Sequence, residues 1–335
     1  RACELLHRSS VREHAPASGG PRHRSSLIVG EIHVVDRLRM LLRRGDDLVE
    51  AGASQHGAAR TFDDVTAHVV PHCATLGIGV CRIVGGSLAR LYLTGGVRLD
   101  GPTGSIVDAD LPGTHGRIAL TVLVVERRPI PRDALAEIVW DGRPPPRWDA
   151  TLAPTISKIR TLITRTGLDG RSIVQSVGRT YAMALPAEAW VDLEDAIRRL
   201  DRSEGALRHG DPRGAAADAT AASAVLRRPF LAGIDGEWVG AQRRRQRDLA
   251  HRCFALLARA WMMLGDIELA VTNARSAIEV DPYRETAHRL AIEAELARGD
   301  RGAALRALER CRTAMAELGV VPDPATEGLL VARGS

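Results

Sequence analysis

Two stretches of this chain place chemistry-bearing side chains at a useful spacing. The first is His68-x-x-x-His72-Cys73, with Cys81 further on. On a helix, imidazoles four residues apart share a face, as a zinc ion requires. Pro71 and Gly77 interrupt any such helix and no fourth ligand has suitable spacing, so ordinary packing is the better reading. The second stretch is residues 151–165, TLAPTISKIRTLITR. Leu152, Ile156, Ile159 and Ile163 recur at helical spacing and make an apolar stripe for a core. Thr151, Pro154, Lys158, Thr161 and Arg165 project from the opposite side, with Thr155, Ser157 and Arg160 on the flanks. This outward set holds hydroxyls and cations and no carboxylate. Such a helix can enter a DNA major groove, where short polar groups and long cations reach bases and phosphates. The competing reading is an ordinary amphipathic surface helix.

The elements around that helix decide between the two. Residues 88–99 read as strand broken at Gly95-Gly96, 101–104 as a turn, and Ile106-Val107 as a further short strand. Residues 117–125 form an apolar segment of helical length, although it is rich in β-branched residues. Residues 132–140 read as a short amphipathic helix with Leu135, Ile138, Val139 and Trp140 inward, and DGRPPP at 141–146 as a rigid loop. Proline is tolerated in a helix's first turn but costs about 3 kcal/mol deeper inside. Pro154 therefore points to Thr151 as N-cap, which puts the missing N–H among groups that lack intrahelical partners anyway; Asp149 is the competing cap. After a turn at 167–170, residues 172–177 and 180–185 read as two strands joined around Gly178-Arg179. Small strands, three helices and a closing hairpin is the order of a winged helix-turn-helix. In that order the third helix enters the major groove, and Arg179 at the hairpin tip reaches the backbone or minor groove.

Charge supports a polyanion partner at this place. The chain of 335 residues has a net charge of +5. Residues 127–181 hold ten basic residues against five acids, so the whole excess is concentrated around this helix. The arginine bias itself, with Lys158 the single lysine, reads as a GC-rich coding sequence. Aromatic residues are only 3% of the chain, so its cores are built from Leu, Val, Ile and Ala. Five scattered cysteines without a CxxC pair fit reduced thiols and a cytoplasmic protein, and no apolar run approaches the ~20 residues of a membrane span. Residues 1–24 are polar and read as disordered, residues 27–49 have helical character, and residues 51–60 read as a small-residue linker.

The C-terminal half has a different texture, helical and rich in alanine. Gly210-Asp211, Gly265-Asp266 and Gly299-Asp300 are each followed by an alanine five residues after the glycine: Ala215, Ala270 and Ala304. The last two copies are 34 residues apart, the tetratricopeptide (TPR) period. Pro229 and Pro282 end the helices after the first two pairs. The cluster Arg243, Arg244, Arg245 and Arg247 reads as a solvated helix face. Stacked helix pairs leave a concave surface suited to proteins or peptides.

From about residue 88 to 330 the sequence resembles the Streptomyces antibiotic regulatory protein (SARP) family. The stretches that carry the resemblance are RDAL through Trp140, ATL through ISKIR at 150–160, and GRTY at 178–181. LRRPFL at 226–231, DPYRE at 281–285 and ELGVVPDP at 317–324 continue it. The resemblance implies an α+β, OmpR-type winged helix over residues 87–186 and an all-α, TPR-like bacterial transcriptional activation domain over 187–331. Residues 1–86 are left as an extension without an assigned function. It also implies a transcriptional activator that binds direct-repeat promoter DNA as a dimer and recruits RNA polymerase, with no catalysis, no cofactor and no membrane. Carried over by position, Thr155 and Lys158 would contact bases. Thr151, Ser157, Arg160 and Arg165 would contact phosphate, and Arg179 would act at the wing. Two departures stand out: Pro154 on the recognition helix, and a wing reduced from Gly-x-Gly-Tyr-Arg to Gly178-Arg179-Thr180-Tyr181-Ala182. They favour the alternative of a TPR-type interaction scaffold with a degenerate winged helix. The chain has neither a receiver domain nor a Gly-x-x-x-x-Gly-Lys-Ser/Thr nucleotide loop in its sequence.

Overall fold

In a computed structural model, residues 89–330 are described. The readings for residues 1–86, His68, His72, Cys73 and Cys81 among them, fall outside the described residues. The described part opens with β1 (Arg90–Tyr92), β2 (Arg98–Asp100) and β3 (Ser105–Ile106), paired antiparallel with Leu91 opposite Leu99. Alternation turns Leu91, Leu93 and Leu99 inward to near-complete burial. Helix α1 (Gly113–Glu126) follows, buried almost without a break from Ile118 to Val124. Its β-branched residues are weak helix formers, and burial on all sides overrides that preference.

Next come β4 (Ile130–Pro131), α2 (Arg132–Val139) and α3 (Trp148–Arg165). Leu152, Ile156, Ile159 and Ile163 of α3 are completely buried, as the stripe predicts. The start of α3 differs from expectation: the helix begins at Trp148 with Arg147 as N-cap, so Pro154 lies in its interior. Two backbone bonds before the expected cap, Trp148 N–H to the Pro145 carbonyl and Ala150 N–H to the Arg147 carbonyl, wind the first turn early. Trp148 also packs against the core, and Asp149 stands in the first turn, where a carboxylate suits the positive helix end. Tertiary contact thus adds a turn that the proline rule alone would remove.

A single turn, α4 (Gly170–Ile173), leads into the hairpin β5 (Val174–Val177) and β6 (Thr180–Met183). The first hairpin strand therefore starts at Val174 and not at Ser172. Its Asp169 cap accepts the Arg171 N–H, and β4 joins the other edge of β6. Strand β7 (Trp190–Val191) then returns to lie parallel to β1.

The rest is helical: α5 (Asp192–Arg208), α6 (Pro212–Leu226), α7 (Glu237–Leu264), α8 (Ile267–Val280), α9 (Glu285–Arg298), α10 (Arg301–Glu317) and the short α11 (Pro324–Glu327). From α5 to α10, each helix packs on the next in sequence, as TPR-like pairs do. The Gly-Asp recurrence has a local cause. Gly210, Gly265 and Gly299 take φ of 73°, 80° and 83°, a left-handed end that costs glycine nothing. The aspartate after each caps the following helix, accepting from Gly214, Leu269 and Ala303 N–H respectively. Ala215, Ala270 and Ala304 are fully buried at the close approach.

The N-terminal core does not end with β7. Phe230, Leu231 and Ile234, from the connection between α6 and α7, and Val239 in the first turn of α7 are buried in the same cluster as α1, α2 and α3. Asp192, at the start of α5, accepts the N–H groups of Leu93 and Thr94 and the Thr94 hydroxyl at 2.8–3.1 Å. Burial raises its carboxyl, and those donors pull it partly back.

Candidate nucleic-acid interface

The surface to be explained is the outward side of α3 with the hairpin tip beside it. Thr151, Pro154, Ser157, Lys158, Thr161 and Arg165 are exposed along α3, and Arg179 is exposed at the β5–β6 turn. Lys158, Arg165 and Arg179 make no side-chain hydrogen bond or ion pair among the described residues. Thr155 is half-buried, and its hydroxyl donates to the Thr151 carbonyl at 2.8 Å; Thr161 and Thr164 do the same to Ser157 and Arg160. This back-bonding leaves the threonine oxygens free to accept and stores no unpaired donor on the face.

Arg160 has a task that sequence reading missed. Its Nε donates to the Val174 carbonyl at 2.7 Å and an Nη donates to Ser176 Oγ at 2.6 Å. The side chain therefore braces α3 against the first strand of the wing, fixing the distance between the two parts of the surface. Gly170 closes the same junction from below: a Cβ there would stand 2.0 Å from the Arg160 carbonyl oxygen. The third brace is Arg132, whose guanidinium lies 5.0 Å from the Tyr181 ring centre and 3.8 Å from Asp149. It joins α2, the wing and the first turn of α3. Helical spacing alone could not reveal these roles, because each partner lies on another element.

The charge excess resolves into two groups. Arg127 pairs with Glu194, Arg128 with Glu126 and Arg132 with Asp149, while Arg160 serves the wing. Ten less these four leaves six, all exposed: Arg143, Arg147, Lys158, Arg165 and Arg179, which have no side-chain partner among the described residues, and Arg171, whose charge acts on the Asp169 carboxylate. They lie in the α2–α3 loop, on α3, in the turn after it and on the hairpin tip. Asp169, the acid nearest that turn, is held below the usual carboxylate range by the Ser172 hydroxyl and then by backbone N–H groups. Cations placed in this way suit a phosphate backbone, and hydroxyls between them suit base edges.

Comparison with known proteins bears on the helical half directly. Residues 191–331 match the family described as bacterial transcriptional activator domain. Mycobacterium tuberculosis EmbR, solved in complex with a low-affinity phosphopeptide, is 22% identical with a TM-score of 0.67. The match covers 75% of this chain and 66% of EmbR, so the chain spans just under two thirds of that protein's length. At this identity the likeness speaks for the fold, and it extends beyond the activator domain into the winged helix. The described residues thus have a winged helix ahead of a TPR-like helical domain. A C-terminal TPR-containing domain of a Plasmodium falciparum FK506-binding protein matches 42% of this chain and 87% of that one, at 12% identity and a TM-score of 0.34, too slight a likeness to bear on the argument. A search of curated proteins found no match.

Proposed function

We propose that the protein is a sequence-specific DNA-binding activator of transcription, acting in the cytoplasm and catalysing no reaction. Residues 87–186 read DNA. Thr155 and Lys158 contact bases, while Thr151, Ser157, Arg165 and Arg179 contact phosphate, and Arg160 adds to phosphate binding the bracing described above. Residues 187–331 engage RNA polymerase once two protomers occupy a direct repeat in the promoter. The observation that carries this reading is the exposed face of α3, free of carboxylates and holding unpaired Lys158 and Arg165, on a helix whose opposite face is wholly buried. A helix serving only to cover a core has no need of uncompensated cations at one place.

Selection of sheared genomic DNA by the wild-type protein and by Lys158→Ala, in parallel at moderate salt, tests it. Enrichment of a repeated motif by wild type, lost in the variant, supports a base-reading helix. The scaffold reading is favoured by Pro154 in the interior of α3 and by the thinned wing; enrichment of nothing by either protein would put it ahead.

A further inference from the structure

The arginine run near the start of α7, Arg243 to Arg247, takes no part in the contacts described so far, with one exception. Arg243 is half-buried and donates to the carbonyls of Phe230, Leu231 and Ile234, so it holds the α6–α7 connection and is not the solvated residue its cluster suggests. Arg244, Arg245 and Arg247 are exposed and make no hydrogen bond or ion pair among the described residues. Of the acids nearby in sequence, Asp248 binds Arg284 and Asp235 binds Arg243, while Glu237, seven residues before Arg244, is exposed.

Their place in the fold gives these charges a direction. Asp141, just after α2, accepts the Glu237 N–H at 2.7 Å and so caps α7 from 96 residues away. The N-terminus of α7 is thereby pinned to the α2–α3 loop. That loop carries Arg143 and Arg147, exposed and unpartnered among the described residues, and runs straight into α3 at Trp148. At 1.5 Å per residue, Arg244 to Arg247 stand roughly 10–15 Å along α7 from the anchor. Arg143, Arg147, Arg244, Arg245 and Arg247 are thus five exposed cations without ion-pair partners on the loop and on the helix it caps, with Glu237 the exposed acid between them.

We propose that this surface of α7 is a second DNA contact, binding phosphates that flank the sequence read by α3. The inference rests on the DNA-reading function proposed above and adds a contact from the activator domain. Guanidinium groups without ion-pair partners are suited to phosphate oxygens, and duplex DNA offers a charge about every 1.7 Å along its axis.

The test uses random-sequence duplexes of 12 and 30 base pairs, titrated by fluorescence anisotropy over a salt series. Four proteins are compared: wild type, Arg179→Ala, the triple variant R244A/R245A/R247A, and the triple R244K/R245K/R247K. Each neutralised phosphate adds about 0.9 to the slope of log affinity against log salt. The alanine triple is expected to lose roughly 2–3 units of slope on the long duplex and none on the short one, and the lysine triple to retain the wild-type slope. Arg179→Ala is expected to lose about one unit on both. Equal slopes for wild type and the alanine triple on the long duplex, with Arg179→Ala still reduced, overturn the second contact, leave DNA reading intact and turn attention to an acidic protein segment for α7. Failure of wild type to bind either duplex overturns both.

Discussion

Replacing Arg160 separates a brace from a phosphate ligand. Its guanidinium joins α3 to the wing through the Val174 carbonyl and Ser176 Oγ. A hydrogen bond from a charged donor contributes about 1.5–3 kcal/mol net where it is shielded from water. Val174 is completely buried, so the inner bond takes that value, whereas Ser176 is exposed and the outer bond contributes about 0–1 kcal/mol. Arg160→Ala should therefore lower stability by about 2–3 kcal/mol. In a cooperative unit of this size that is a fall of roughly 4–12 °C in melting temperature. The assay is thermal unfolding followed by circular dichroism, paired with salt-dependent DNA binding. Arg160→Lys keeps the charge but loses the planar fork that reaches two acceptors at once, so it should recover little of the stability. If Arg160→Ala melts with wild type while the salt slope falls by about one unit, the bracing argument is wrong and the residue is a phosphate ligand only.

Three further outcomes follow from the same geometry. Gly170→Ala drives a methyl group to 2.0 Å from the Arg160 carbonyl oxygen, so backbone must shift; a loss of about 2–4 kcal/mol in urea unfolding is expected, and a loss under 0.5 would show that the junction yields freely. Pro154→Ala restores a donor inside α3 at an exposed site, and should raise stability by about 1–3 kcal/mol; unchanged stability would mean the helix interior has already adapted to the ring. His251 is buried, and burial, then the Arg284 charge, lower its pKa against the opposing pull of Asp281 and Asp248. The unfolded chain then binds a proton more readily than the folded one. The term is fully present above about pH 6.5 and is lost as pH falls through the depressed value. Melting temperature should drop below that pH in wild type and drop less in His251→Gln, and parallel curves would refute the assignment.

Much of this architecture is written in local chemistry, and that part was legible. A left-handed glycine followed by an aspartate cap needs only neighbouring residues, so Gly265-Asp266 and Gly299-Asp300 mark their turns in the sequence itself. The inward face of α3 was equally plain, because every fourth or third residue of one side is Leu or Ile. What stayed hidden depends on distant partners. Trp148 joins α3 because it finds a core to pack on, so the proline rule places the N-cap four residues late. Arg243 stands in an arginine run, yet three carbonyls of the preceding connection make it structural. Arg160 sits on the flank of the recognition face, and no periodicity distinguishes a wing brace from a phosphate contact. The hydroxyl and cation pattern identified a surface, and the structure adds which of its members are already engaged.

The same distant partners bind the domain of α3 to the helical domain. All three non-glycine residues with positive φ among the described residues, Arg127 at 52°, Asp141 at 51° and Leu231 at 45°, lie where the two halves meet. Arg127 forms a two-pronged pair with Glu194, Asp141 caps α7, and Leu231 fills the core shared with α1–α3. Such conformations cost about 1–3 kcal/mol each and persist only where the surroundings over-determine them. Here they do: Asp192 ties β1 to α5, Trp238 Nε1 donates to Glu126 at the end of α1, and Phe230 bridges to Thr94. A junction that holds three strained residues in place is a poor hinge. On the DNA-reading function proposed above, the orientation that α3 takes on a duplex fixes the orientation of the helical domain, and a partner of that domain meets it at a position set by the DNA site.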